Sequence, residues 1–324
     1  MISQGMQIRK NFRSEAMKRH QKGTPLGASL IIATQIAWGV LAAAASVAAF
    51  QATAWISAPV YIAAAFFIGT RFRALSNLMH ECSHYALTTD RAWNNTLGRL
   101  LSIPLLTSFD RFRHTHFSHH QHTGDSALDL DFLGYENFRF GEPLTRSAIM
   151  RHLRVTLTLR HVPSFIGKTL FVRSEPHVYN VLRLAYAAAI LALLTAYGPF
   201  SIEGLIVIGY LIVPYAMTFQ IINYWTDVVD HAGLFDNVDE LHQTRNAVIK
   251  NPVLKAIIFP RQDCFHLVHH LFPQVPVAHL PTFHEKLMVA PSYAALDHSL
   301  ASRFLSKPIM SGSHIQPIEE SDHA

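Results

Sequence analysis

The first 70 residues divide into a basic segment and a long apolar one. Residues 1–22 carry six Lys and Arg residues against one acid, Glu15, whereas residues 23–70 contain no charged residue. A helix needs about 20 apolar residues to cross the hydrocarbon core of a bilayer. The apolar segment therefore predicts two membrane spans, roughly 26–50 and 54–70, joined by a very short turn.

The same pattern recurs in the second half of the chain. After Arg183 the only charge before Asp227 is Glu203, and a Tyr-Gly-Pro turn interrupts the apolar run;. Two more spans are predicted, roughly 181–198 and 202–222. Because Lys and Arg concentrate outside the spans, both termini and the segment between the hairpins are expected in the cytoplasm. The pattern thus predicts an all-α integral membrane protein, with about four transmembrane helices in two hairpins and a cytoplasmic, mainly helical cap.

Two segments between the hairpins are not expected to cross. Residues 97–109 are apolar but too short, and Pro104 interrupts them, so we interpret them as interfacial or re-entrant;. Residues 139–183 mix basic and apolar side chains, which favours helices against anionic headgroups over a nucleic-acid surface;. The expected organisation is a basic cytoplasmic tail at 1–25, a single membrane domain at 26–307 and a polar tail at 308–324.

Composition supports this membrane assignment. Hydrophobic residues make up 50% of the chain and charged residues only 15%, below the roughly 25% typical of soluble proteins;. The two cysteines, Cys82 and Cys264, are too few for a disulfide framework and favour a reducing compartment;. The N-terminus lacks the pattern of a cleaved secretory signal, so we expect the protein to stay in its membrane, the inner membrane if the cell is bacterial.

Histidine is concentrated in three short clusters, and one of them has five histidines in the nine residues 114–122. Residues three or four apart share a helix face, and neutral imidazole is the commonest metal-binding side chain. Since two hairpins would return every cluster to one side, we predict a metal site assembled from distant segments. The clusters are His80 and His84; His116, His119 and His120; and His266, His269 and His270.

Three kinds of protein fit such clusters. The segment from His80 to His84 reads HExxH, the zinc metalloprotease signature, in which Glu81 would activate water;. A zinc protease uses three protein ligands, however, and leaves most of these histidines unexplained. Imidazole also suits iron, and a pair of ions can activate dioxygen, so two irons are our choice. A metal transporter or sensor without turnover is the third class.

These clusters resemble the boxes of the membrane fatty acid desaturase and hydroxylase family, whose pattern is HxxxH, HxxHH and a second HxxHH. The string from Phe265 to Pro276, FHLVHHLFPQVP, is similar to the third box of that family and its following residues. The resemblance covers roughly residues 30–290. It implies a di-iron centre whose ninth ligand is His231, in the segment Asp-His-Ala-Gly, beside the eight histidines of the boxes.

The resemblance also implies an activity and its partners. The expected reaction is the oxygen-dependent introduction of a double bond into an acyl chain presented from the membrane, with O2 as co-substrate. Hydroxylation or ketolation at the same site, or a substrate such as a carotenoid, an alkane or an amino-acid-derived molecule, stays open. Because no cytochrome b5-like region or flavin-binding motif is visible, electrons are expected from a separate protein such as ferredoxin or cytochrome b5. No nucleic-acid partner is expected.

Several other polar residues lie near the clusters. His114 and His122 fall outside the pattern and are expected to be neighbours rather than ligands. Acids such as Asp125 after the second cluster can either orient ligating histidines or remain solvated in a loop. The residues expected to hydrogen-bond or support the ligands are Glu81, Asn223, Asp227, Asp129 and Asp131, although Asn223 and Asp227 fit a helix-capping role equally well.

Overall fold

The computed structural model describes residues 2–18, 22–52, 54–125, 127–131, 135–165, 170–235 and 237–300. Within these ranges the regular secondary structure is helical, and β-pairing is limited to two isolated bridges. The α-helices are α1 Gln4–Ala16, α2 Pro25–Ala52, α3 Ala54–Ser83, α4 Arg91–Ser102, α5 Phe109–His122, α6 Arg146–Leu157, α7 Val162–Phe165, α8 His177–Tyr197, α9 Ile202–Val207, α10 Gln220–His231, α11 Pro252–Ile258, α12 His266–Leu271, α13 Leu280–Leu287 and α14 Pro291–Ala294. Two π-helical segments, Ile208–Ile212 and Pro214–Phe219, join α9 to α10, and short 3-10 turns lie at Tyr135–Phe138, Glu240–His242, Pro260–Gln262 and Val277–His279.

Three helical stretches in the described ranges are long and apolar enough to cross a membrane: Pro25–Gln51, His177–Tyr197 and Ile202–His231. The prediction of an all-helical chain with several helices able to span a membrane is thereby confirmed. The fourth span, at 54–70, lies in the first half of α3 and stays a prediction. With 30 residues, α3 is about 45 Å long, which exceeds a hydrocarbon core of about 30 Å;. A span at 54–70 would therefore leave the C-terminal end of α3, with the first histidine cluster, beyond the bilayer.

Helix α3 packs closely against the π-helical segments that precede α10. Gly69 lies against Thr218, so that a Cβ atom at position 69 would overlap the threonine side chain. Beside this contact the rings of Phe72, Tyr215 and Phe219 form a buried aromatic group. The Tyr215 hydroxyl donates to the Leu105 carbonyl at 2.7 Å. These contacts fix α3, which carries the first cluster, relative to α10, which ends at His231.

The apolar segment at 97–109 forms the end of one helix and a turn. The Asp90 side chain accepts from the first-turn amides and begins α4, which ends at Ser102. The Ser108 hydroxyl then accepts from Arg111 N and begins α5, the helix of the second cluster. The buried Arg183 guanidinium donates to the Thr107 carbonyl at 2.7 Å and pairs with buried Glu175, which anchors this turn on α8.

Residues 237–300, called here the C-terminal unit, surround the third cluster, and α1 docks on them. Ile8 and Ala16 of α1 are buried in the apolar core of this unit. The Asp239 carboxylate accepts from the amides of Gln4 and Gly5, which begins the helix. The segment predicted as a basic tail thus contributes a packed helix. The predicted tail at 308–324 lies outside the described residues.

Candidate metal centre

All nine histidines predicted as ligands come together, although they lie in four segments separated by up to 190 residues of sequence;. Within the described residues they form two groups, and in each group one candidate ligand atom per residue lies within 4.8 Å of the others. The five-histidine group contains His80, His84, His116, His120 and His269. The four-histidine group contains His119, His231, His266 and His270.

The second and third clusters each divide their three histidines between the two groups. Residues four apart on a helix differ by about 40° in direction, whereas the residue three positions on turns about 60° to the opposite side. The pair His116 and His120 therefore faces the five-histidine group, while His119 turns to the other. In the third cluster His266 and His270 face the four-histidine group, while His269 faces the five-histidine group. Each triplet therefore contributes histidines to both groups.

The ring nitrogens approach each other as ligands of common centres would. The distance from His116 Nε2 to His80 Nε2 is 2.7 Å, and to His120 Nε2 it is 3.0 Å. His120 Nε2 lies 3.1 Å from His269 Nε2 in the same group. In the four-histidine group the Nε2–Nε2 distances are 2.9 Å for His231 and His266, 3.1 Å for His266 and His270, and 3.2 Å for His119 and His270.

Two predicted carboxylates fix the orientation of ligand rings. His119 Nδ1 donates to Asp129 at 2.7 Å, and His116 Nδ1 donates to Asp131 at 3.0 Å. A carboxylate only accepts, so the proton lies on Nδ1 and the lone pair on Nε2. Asp129 is fully buried and also accepts from the Gly124 amide at 3.1 Å. Each acid therefore aims an Nε2 lone pair into its group.

Burial keeps most of these imidazoles uncharged. It lowers the pKa of His120, His266, His269 and His270 well below the ordinary value, with further repulsion from neighbouring histidines for each. His119 differs: burial opposes its protonation, but the hydrogen bond and charge of Asp129 outweigh burial and raise its pKa. Neutral imidazoles are the form that binds metal.

A bound cation would explain why the lone pairs of these imidazole nitrogens converge. Two nitrogens at right angles around an ion, each about 2.1 Å from it, lie about 3.0 Å apart, close to the separations observed. Nε2 of His84 is buried and has no hydrogen-bond partner among the described residues, although His84 belongs to the five-histidine group. The residues present thus fit two metal ions. With imidazole ligands only, they suit iron, copper, nickel or zinc.

Glu81 lies elsewhere than a water-activating glutamate would. Its carboxylate accepts from Arg261 Nε at 2.9 Å and from Arg261 Nη2 at 2.5 Å. Its other oxygen accepts from the Val277 amide at 3.4 Å. The Glu81 side chain thus holds the segments before and after the third cluster against α3. A carboxylate engaged in this way does not match the general base of an HExxH protease.

The other predicted residues have varied surroundings. Asn223 accepts from Arg73 Nη1 at 2.6 Å, and Arg73 is also paired with Asp263. The charge of Asp227 helps to raise the pKa of His119, which places Asp227 near the four-histidine group. Asp125 accepts from loop amides and is exposed. His114 and His122 are exposed and lie outside both groups, as expected.

Three partners of the ligands were missed from the sequence. The Gln243 carbonyl accepts from His231 Nδ1 at 3.4 Å, and the Thr123 hydroxyl lies 3.4 Å from His270 Nδ1. Asp230 is buried, with Oδ2 at 3.6 Å from His266 Nδ1. Only Asp230 left a signal in the sequence, because an acid beside a ligand in an apolar helix is unusual.

Residues 54–300, about three quarters of the chain, match the family model for fatty acid desaturases. The chain belongs to the fatty acid desaturase family. The matched range contains both histidine groups, so the earlier resemblance is confirmed and the histidine clusters are the boxes of this family. Membership makes the chain an oxidoreductase and argues against the protease and transporter alternatives.

Relatives within the family carry different substrate names. The chain is 27% identical to the dihydrorhizobitoxine desaturase of Bradyrhizobium elkanii over 287 residues, which cover 83% of this chain and 79% of that protein. It is 24% identical to the acyl-lipid omega-3 desaturase (cytochrome b5) of Arabidopsis thaliana, covering 74% of this chain and 66% of that protein. It is 26% identical to the sn-2 acyl-lipid omega-3 desaturase (ferredoxin) of Helianthus annuus, covering 70% of this chain and 54% of that protein. The chain thus spans less than two thirds of the length of both plant relatives.

Proposed function

We propose that this family member is a membrane-bound, oxygen-dependent di-iron desaturase that introduces a double bond into an acyl chain. The observation that carries the proposal is the convergence of nine imidazoles in two adjacent groups. The two groups share an edge, since the rings of His120 and His270 stack at a centroid distance of 4.3 Å. Two redox-active ions held side by side suit the reductive use of dioxygen.

The nine histidines would hold the two irons, and the irons would supply the oxidising power of dioxygen. In the overall reaction, two adjacent CH2 groups lose two hydrogen atoms and become CH=CH. Dioxygen takes these hydrogens together with two electrons from a donor and two protons, and leaves as two water molecules. Asp129 and Asp131 hold the proton on Nδ1 of His119 and His116, which keeps each Nε2 free to bind;.

Aromatic side chains limit the access of water to this chemistry. The Phe112 ring stacks on His116 with a centroid distance of 5.2 Å, and Phe117 packs on His84 at 5.5 Å. These rings screen one side of the five-histidine group from bulk solvent. A site without bulk water has stronger electrostatic interactions and fewer side reactions.

The substrate has two candidate classes. Long apolar helices such as Pro25–Gln51 give the site access to the bilayer, which favours an acyl chain presented as lipid or thioester;. The second candidate is a non-lipid small molecule, since the relative named for dihydrorhizobitoxine is covered over 79% of its length. Desaturation is favoured over hydroxylation because the bacterial relative and both plant relatives are named desaturases.

Electrons are proposed to come from a separate protein on the cytoplasmic side. Relatives are named for ferredoxin and for cytochrome b5. The chain has a net charge of +5, and its basic residues lie largely outside the apolar spans, which suits an acidic carrier such as ferredoxin;. Turnover of the purified protein should therefore depend on an added carrier and fall as the salt concentration rises.

Lipid profiling of a host that expresses the chain tests the function. Fatty acid methyl esters from these cells should contain a product two mass units lighter than its precursor, and derivatisation would locate the new double bond. His120→Ala should abolish this product, whereas His114→Ala, an exposed histidine on the same helix, should retain it. A product with added oxygen would identify a hydroxylase instead.

Metal analysis of the protein purified in detergent separates the remaining alternatives. Two irons per chain with an unchanged lipid profile, and oxygen consumption only with a supplied small molecule, would favour the non-lipid substrate. One zinc and no iron would contradict the proposed function. Oxygen consumption that fails with every carrier and reductant would contradict it as well.

A further inference from the structure

Asp230 has a buried carboxylate that the proposed function has not used. It lies in the last turn of α10, next to His231, and is 1% exposed. Neither Oδ1 nor Oδ2 has a hydrogen-bond partner among the described residues. A buried polar group without a partner destabilises a fold, and a buried carboxylate does so strongly. Such a group calls for an explanation in terms of what it binds.

The nearest arginines do not hydrogen-bond to this carboxylate. Arg73 donates to Asp263 Oδ2 at 2.9 Å and to Asn223 at 2.6 Å. Arg245 donates to the carbonyl oxygens of Val229 and Ala232, at 2.9 and 2.6 Å. The charges of Arg73 and Arg245 therefore act on Asp230 only through space, as do those of Asp263 and Asp227. The Asp230 carboxylate therefore has no hydrogen bond to either arginine.

The main chain around Asp230 is fixed, in contrast to its side chain. The Thr244 hydroxyl donates to the Asp230 carbonyl at 3.2 Å, and the Arg245 amide donates to the same carbonyl at 3.1 Å. The loop that carries these two residues leads to Gln243, the partner of His231. The position of Asp230 is therefore built by the same loop that orients a ligand.

The group that the carboxylate faces is His266 Nδ1, at 3.6 Å from Oδ2. In the four-histidine group, His119 Nδ1 has Asp129, His231 Nδ1 has the Gln243 carbonyl, and His270 Nδ1 has the Thr123 hydroxyl within 3.4 Å. A separation of 3.6 Å exceeds a hydrogen bond, so a small turn of the His266 ring is needed to complete the set.

We propose that Asp230 is a positioning residue for His266, accepting its Nδ1 proton when the four-histidine group holds a metal ion. This inference rests on the proposed di-iron function. Metal-binding histidines commonly donate their second ring nitrogen to a carboxylate, and loss of such a partner lowers metal affinity by about 10- to 100-fold. The Asp230 carboxylate thereby raises the metal affinity of one group.

The substitution Asp230→Asn separates this role from a structural one. In metal-free protein, prepared with a chelator in detergent, the variant should keep the melting temperature of the wild type, because the two side chains have the same shape and no hydrogen bond from the described residues to the carboxyl group is lost. Titration with Fe2+ under anaerobic conditions, or with Co2+ as a spectroscopic probe, should show one ion bound as in the wild type and the other about 10- to 100-fold more weakly. Asp90→Asn makes the same chemical change at a helix N-cap and should alter neither quantity;.

A double substitution ties the effect to one histidine. In a His266→Ala background, Asp230→Asn should cause no further loss of metal affinity, since its proposed target is absent. A lower melting temperature or misfolding of metal-free Asp230→Asn would assign the residue a structural role and overturn the inference. Two ions bound with unchanged affinity would overturn the inference alone, whereas a wild-type chain that binds fewer than two ions would overturn the di-iron function with it.

Discussion

The carboxylate of Glu81 accepts two hydrogen bonds from the guanidinium of Arg261, 180 residues later in the chain. The Glu81 side chain is 2% exposed and that of Arg261 15%, so the ion pair is largely shielded from solvent. It joins α3, which carries the first histidine box, to the turn that precedes the third. The first and third boxes, which both contribute histidines to the five-histidine group, are thus linked by an ion pair as well.

Removing the carboxylate of Glu81 should destabilise the fold. In an HExxH protease the same change would instead abolish peptide hydrolysis. Glu81→Ala leaves the Arg261 guanidinium buried and unpaired, and breaking such a pair lowers the free energy of unfolding by about 3–5 kcal/mol. Thermal unfolding of the purified protein measures the loss. The double variant Glu81→Gln with Arg261→Gln removes both charges and should recover part of the stability. A Glu81→Gln variant that keeps its stability while losing a peptidase activity would contradict this view.

The division of each box between the two groups predicts how the metal content responds to single substitutions. His119→Ala removes a ligand of the four-histidine group, and His120→Ala removes one of the five-histidine group. Each variant should retain about one ion of two, because the other group keeps its full ligand set. His114→Ala and His122→Ala, on the same helix, should keep both ions. Metal analysis after dialysis makes the comparison, and loss of both ions from His119→Ala alone would show that the groups are not independent.

Local sequence patterns predicted the parts of this protein that depend on one segment. The uncharged run before Arg71 predicted the membrane helix α2, and the spacing of His116 and His120 predicted a shared face. A helix at residues 4–16 also had a signal, since Ile8, Phe12 and Ala16 recur every four residues, whereas the basic charge of the segment indicated only a cytoplasmic tail;.

Other features depend on contacts between distant segments and had no local signal. The direction of His119 depends on how α5 meets α12, because a residue three positions on can face either of two neighbouring centres. The direction of Glu81 depends on Arg261. Asp230 and His231 are neighbours in sequence, but only the wrapping of Thr244 and Arg245 around the end of α10 shows that Asp230 is buried.

The close contact at Gly69 predicts a strong effect from a small substitution. Gly69→Ala would overlap Thr218 on the π-helical segment, and adding a methyl group to a filled interior lowers the free energy of unfolding by about 1–3 kcal/mol;. Gly39→Ala on α2 meets only the flexible Arg71 side chain at 3.9 Å, and should be neutral or stabilising by up to about 1 kcal/mol;. Thermal unfolding of both variants in the same detergent tests the difference. Equal melting temperatures would show that the interface of α3 is loosely packed.

Protonation of His152 predicts a loss of stability in mild acid. His152 lies on α6, outside the spans, with Nδ1 at 2.7 Å from the Tyr224 hydroxyl, and burial, followed by the charge of Arg151, lowers its pKa to about 4. In the unfolded chain the pKa is about 6.5, so between these values the unfolded state binds a proton that the native state does not. The contribution of His152 therefore favours folding fully above pH 6.5 and declines as the pH falls toward 4;. His152→Asn can keep a hydrogen bond to Tyr224 without titrating, so its melting temperature should fall less between pH 7 and pH 5 than that of the wild type. Parallel falls in the two proteins would show that His152 titrates normally.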